Sequence, residues 1–177
     1  MKIWIKSMFI VLCGMVIATL FVACGSDDDD NNDNGSVDSR VVGTWTSTIG
    51  EGWNWDENGV LQNHWKDLSA ITTRSYEVIN GMETGRYRDY TDGEPEWTTV
   101  TFNADGSFNG ENDEESFKGT FTAKDGVMIM LAEDRAHKSN YSFEDGKLKL
   151  VTEEYENGVL RDKEINWYVK GLYQAGM

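Results

Sequence analysis

Past position 57 the chain repeatedly sets an asparagine or aspartate directly before a glycine: Asn58-Gly59, Asn80-Gly81, Asp92-Gly93, Asp105-Gly106, Asn109-Gly110, Asp125-Gly126, Asp145-Gly146 and Asn157-Gly158. Such pairs tolerate the positive φ that two-residue hairpin turns require, so they are the strongest short-range sign of antiparallel strands. Between them the side chains alternate with period two. Val100 and Phe102 point one way in WTTVTF. Phe117, Gly119 and Phe121 share a face opposite Lys118 and Thr120, and Ile165, Trp167 and Val169 oppose Asn166, Tyr168 and Lys170. Each strand is thus expected to bury one face and wet the other.

The alternation predicts an all-β chain of about eight to ten antiparallel strands with little helix. The single proline, Pro95, falls in the loop TDGEPE, where a missing donor costs little. A meander of this size avoids exposed edges by closing into an up-and-down barrel. The best helical candidate is the stretch around Leu61, Trp65, Leu68 and Ile71, spaced near 3.6; a long first loop with a helical turn is the alternative.

The amino-terminal 40 residues have a different composition. MKIWIK supplies two lysines, and Met8 to Ala23 is nearly free of polar side chains. About 16 residues at roughly 1.5 Å each make a helix of about 24 Å, too short for a hydrocarbon core of roughly 30 Å. A signal peptide over residues 1–23 is expected. Phe21, Val22, Ala23 and Cys24 resemble the lipobox of bacterial lipoproteins, with Phe21 where Leu is usual, which implies that Cys24 is lipidated and opens the mature chain. An ordinary secretory signal with an incidental cysteine is the alternative. Cys13 would leave with the leader, so no disulfide, zinc cluster or cysteine nucleophile is expected in the folded part.

Ser26 and Asp27 to Asp30, directly after Cys24 and Gly25, are similar to the export signal of Bacteroidetes-type lipoproteins. That resemblance implies the outer membrane, with the chain facing the cell exterior. Residues 24–40 have too little apolar surface to offset the entropy of ordering, and their like charges extend them into an acidic tether. Asp30, Asn32, Asn34 and Gly35 match half of a calcium loop, but Val41 stands where the closing glutamate is needed. No metal or other cofactor is expected.

Residues 41–177 carry a formal charge of −12 and suffice for one domain with a single core. Such a field repels phosphate backbones and anionic headgroups, which excludes nucleic acid as a natural partner and leaves the lipid as the link to the membrane.

Gly43, Thr44 and Trp45, in VVGTWTS, resemble the Gly-x-Trp signature of lipocalins, and FNADGSF, residues 102–108, is similar to a hairpin of bacterial lipocalin-like lipoprotein domains. The resemblance spans about residues 41–170. It implies a barrel floor in which Gly43 and Trp45 sit beneath an arginine from a late strand, for which Arg161 is the candidate. The disulfide and the Thr-Asp-Tyr motif of many secreted lipocalins are absent. An ordinary core tryptophan is the competing reading of Trp45. ENGVL occurs at 57–61 and again at 156–160, which reflects recurrent turn chemistry rather than a repeat architecture.

Catalytic motifs are missing: His64 and His137 lack metal-ligand spacing, and there is neither a Gly-x-Ser-x-Gly elbow nor a phosphate loop. Acid pairs such as Glu114-Glu115 and Glu153-Glu154 abound; on so acidic a chain they read as a solvated face, with a glycosidase-like couple as the alternative. Trp53, Trp55 and Trp65 cluster in the least regular segment. They either fill the core, form platforms for the apolar faces of sugar rings, or gate an internal ligand over a barrel mouth. The expected function is a non-catalytic, lipid-anchored binding module holding a small apolar or amphipathic ligand. The alternatives are a surface glycan-binding protein using the three tryptophans, and an interaction subunit of an outer-membrane complex.

Overall fold

In a computed structural model, residues 37–91, 94–112, 114–132 and 135–172 are described; all belong to one compact unit, and no helix occurs among them. The leader, Cys24, the calcium-like half-loop and Asp92-Gly93 lie outside the described residues. The strands are β1 (Gly43–Trp55), β2 (Leu61–Ser69), β3 (Thr72–Ile79), β4 (Met82–Thr91), β5 (Thr98–Phe102), β6 (Ser107–Asn112), β7 (Ser116–Lys124), β8 (Val127–Ala132), β9 (Arg135–Glu144), β10 (Lys147–Glu156) and β11 (Val159–Lys170).

Turn chemistry fixes the register. Asn80-Gly81, Asp125-Gly126, Asp145-Gly146 and Asn157-Gly158 have positive φ at both residues, the geometry of a type I′ hairpin. Asn109-Gly110 does not turn: it lies inside β6, where the Phe117 ring occupies the space a Cβ at position 110 would need.

Strands β5 to β11 each pair with the next in an up-and-down order, and β1 pairs with both β5 and β11, so eight antiparallel strands close on themselves. This agrees with the lipocalin-like barrel expected from the sequence. The three remaining strands form a side sheet. The first half of β1 pairs with β5 (Gly43 to Ser47), and the second half pairs with β2 (Glu51 to Trp55). Between them β1 bulges at Thr48. The β2–β3–β4 sheet therefore continues the wall past the end of β5 as a partial collar, with β4 as its free edge.

The segment read as a candidate helix is thus strand β2. Leu68 and Ile71 are exposed, so their near-helical spacing marks no buried stripe, while His64 and Trp65 alternate between opposite faces.

The core occupies one end of the barrel. Val41, Trp45, Phe102, Phe108, Phe121, Met128, Leu148 and Tyr168 fill the interior where β1 begins and β11 ends. In β11 the inward face is Tyr168, Asn166 and Glu164, paired with Leu148, Leu150 and Thr152. Ile165, Trp167 and Val169 point outward, where Ile165 is level with Val151 and the Trp167 ring lies 5.9 Å from the Lys149 ammonium. Hydrophobic alternation alone assigns the reverse, because the upper interior is polar.

Residues 37–40, placed in the tether by composition, are packed against this filled end. Val37 bridges Ala123, and the Asp38 amide donates to the Ala123 carbonyl at 2.8 Å. Tyr141 Oη donates to Asp38 Oδ2 at 3.0 Å, and the Arg40 guanidinium grips the same carboxylate at 2.6 Å. Trp45 Nε1 donates to the Val41 carbonyl at 2.7 Å, which ties this strap to β1. The apolar side chain of Val37 and the paired charge of Asp38 give the segment enough contact to offset its ordering entropy.

Hydrogen bonds from the Arg40 side chain hold the Asp38 carboxyl down to about 2 against an ordinary value of 3.8. A depressed carboxyl contributes stability that is complete above the unfolded value and is lost as pH falls through the folded one. An Asp38→Asn variant is therefore expected to be less stable than the parent at neutral pH. The two should converge between about pH 4 and pH 2 in acid unfolding followed by tryptophan fluorescence.

Candidate ligand-binding site

At the other end of the barrel the interior turns polar. Inward positions on β11 and β10 are Asn166, Glu164 and Asp162, with Thr152 and Glu154 opposite the last two. On β1 the matching positions are Gly50, Gly52 and Asn54. Two of the three are glycines, and the reason is Trp65. Its indole lies across β1, with ring atoms 2.6 Å from where a Cβ on Gly52 would stand and 3.2 Å from one on Gly50. The ring is half-buried, laid flat along the wall at the barrel mouth.

Polar groups surround it. Asn63 Nδ2 donates to Asn54 Oδ1 at 3.3 Å, and Asn54 Nδ2 donates to Asp162 Oδ1, which makes a chain along the rim. Below it Asn166 Nδ2 donates to Glu164 Oε1 at 2.9 Å. Glu164 is exposed to water within the mouth while the wall rises around it, so desolvation pushes its carboxyl up. The Asn166 hydrogen bond opposes the shift, and Asp67, Glu154 and Asp162 reinforce it. Asp67 itself holds the wall together, because Oδ2 accepts the Gly50 amide beyond the β1 bulge at 3.0 Å and Oδ1 accepts the Thr73 hydroxyl at 2.7 Å. It pins the collar where β5 gives way to β2.

The other two candidate tryptophans are elsewhere. Trp53 points outward and stacks on His64 at 4.7 Å; His64 stacks on Tyr76 at 4.2 Å, and Tyr76 meets Tyr87 edge-on at 6.4 Å. These four rings cross four strands as one row. His64 is buried, with Nε2 3.0 Å from Glu51 and Nδ1 2.9 Å from Glu83. The row stiffens the collar and leaves Trp53 no open face toward the mouth. Trp55, two residues on, alternates to the same outward side, and its carbonyl accepts Arg161 Nε at 3.1 Å.

Arg161 is therefore at the opposite end of β1 from Trp45 and does not cover it. The cation over Trp45 is Lys170, with Nζ 5.4 Å from the ring centroid and Cε 3.2 Å from where a Cβ on Gly43 would lie. Gly43 and Trp45 do sit at the filled end of the barrel. The pairing of Trp45 with Lys170 puts the two side chains on one face, a fact fixed by strand register and invisible in the sequence.

Asn54, Glu164 and Asn166 escape the sequence reading. The alternation Gly50-x-Gly52 in GEGWNW is the available signal, since glycines repeated on one face of a strand mark the close approach of another group. A surface groove of about 310 Å³ lies apart from the mouth, lined by Val60, Leu61, Gln62, Val78, Asn80 and Gly81. No group of three or more metal-ligating side chains occurs among the described residues. No protein-family profile matches this chain, and no curated protein is similar enough in sequence to count as a relative.

Proposed function

We propose that this chain is a non-catalytic binding module of the bacterial lipocalin-like lipoprotein kind, anchored through Cys24 at the outer face of the outer membrane, with its ligand seated on Trp65 in the barrel mouth. The carrying observation is the indole laid over Gly50 and Gly52, with the amides and carboxylates of Asn54, Asp162, Glu164 and Asn166 on the neighbouring inward positions. A flat apolar face ringed by hydrogen-bonding groups suits a molecule with one apolar and one hydroxylated side.

The apolar depth of the barrel is filled by its own side chains, from Trp45 to Tyr168. This favours an amphipathic, sugar-like ligand at the rim over a purely apolar one in a deep cup. The glycan reading and the barrel-mouth reading thus converge on Trp65 and leave out Trp53 and Trp55. The test is titration of the full chain in detergent with a panel of neutral oligosaccharides, read by calorimetry. Trp65→Ala is expected to weaken binding by about tenfold or more, the usual worth of a stacking platform. Trp53→Ala should leave affinity unchanged. Equal losses in the two variants would overturn the assignment.

A further inference from the structure

The collar carries a second set of groups on the same side as Trp65. The register places Trp65, Ser75 and Arg88 in one row across β2, β3 and β4, and Asp67, Thr73 and Tyr90 in the next. The indole leans toward β1, and the short side chains of Ser75 and Thr73, the latter buried, lie between Trp65 and the β4 pair Arg88 and Tyr90. Strands lie about 4.8 Å apart, so roughly 10 Å separates β2 from β4, about the width of one sugar chain.

Charge distinguishes the two ends of these rows. Lys66, Arg74, Arg161 and Lys163 each hold a carboxylate partner. The Arg88 side chain is exposed and makes no ion pair or hydrogen bond among the described residues. Within the mouth, Asp162 and Glu164 repel anions, and Asp67 is occupied by Gly50 and Thr73. An anionic group is therefore turned away from the interior and received at the rim, where a guanidinium matches a carboxylate bidentately.

Building on the mouth-binding reading above, we propose that the ligand is an otherwise neutral oligosaccharide bearing a single carboxylate, with a neutral ring on Trp65, the acidic unit on Arg88, and Tyr90 flanking the chain. The test is an array of oligosaccharides in matched pairs, each acidic chain beside its carboxyl-reduced counterpart, probed with the full chain in detergent. The acidic members are expected to bind about tenfold more tightly, as one charge-assisted bidentate contact implies. Arg88→Ala should level each pair while keeping the neutral signal, Arg88→Lys should restore only part of the preference, and Trp65→Ala should lower both members. The Arg88 side chain is exposed on the edge strand and makes no ion pair or hydrogen bond among the described residues, so its replacement should leave the β3–β4 pairing intact. Equal binding within pairs by the parent chain, or a preference untouched by Arg88→Ala, would overturn the acidic specificity and leave the mouth reading standing. Silence of the parent across the array would remove both.

Discussion

Replacing Gly119 by alanine is expected to remove a large fraction of the barrel's stability. An added Cβ would run into the Leu131 carbonyl oxygen, with the Leu131 carbonyl carbon and Phe108 Cε1 each at 2.9 Å. Two of those three atoms are backbone of the neighbouring strand β8, which cannot step aside as a side chain can. Overpacking a core usually costs about 1–3 kcal/mol, and a clash with a strand backbone belongs at or above the upper end. For a domain of this size that corresponds to a fall in Tm of about 10 °C. Thr120→Ala, one residue along on the outward face, should shift Tm by no more than about 2 °C. Calorimetric melting of the three proteins decides the matter; a Gly119→Ala chain that melts with the parent would mean that β7 and β8 do not approach so closely.

The second large effect concerns the amino terminus. If acyl chains sit on Cys24, each buried methylene contributes about 0.8 kcal/mol to membrane attachment, and several chains together hold the protein firmly. Mass spectrometry of the parent's first peptide is expected to show a chain that begins at Cys24 and carries acyl mass. Cys24→Ser should abolish incorporation of labelled palmitate. A parent peptide beginning elsewhere, or beginning at Cys24 with a free thiol, would end the anchor proposal and leave the barrel mouth untouched.

The lower half of the molecule is legible in the sequence and the upper half is not, for one physical reason. Where the interior is apolar, alternation reports the inward face directly: Val100, Phe102 and Phe121 lie on the faces it assigns and are buried. The turns are legible too, since four Asx-Gly pairs adopt the positive φ their chemistry favours. Above the core the interior is lined by Asn166, Glu164 and Asn54, so the same rule assigns Ile165 and Trp167 inward when they lie outward. The site inherits that blindness. Trp53, Trp55 and Trp65 look alike in sequence, but strand β2 places Trp65 inward at Gly52 and His64 outward at Trp53, so only pairing separates platform from ladder. Lys170 is overlooked in favour of Arg161 because both are cations on one strand, and which of them reaches Trp45 depends on the register.

The strap at residues 37–41 bears on mechanics. Traction along the amino-terminal chain arrives at Val37 and is resisted by the link to the Ala123 carbonyl, the Tyr141 hydroxyl and the Trp45 indole, all at the filled end. If Cys24 is the anchor, a pull on the tether is thus taken up at the filled end, and the rim around Trp65 at the other end is spared the load.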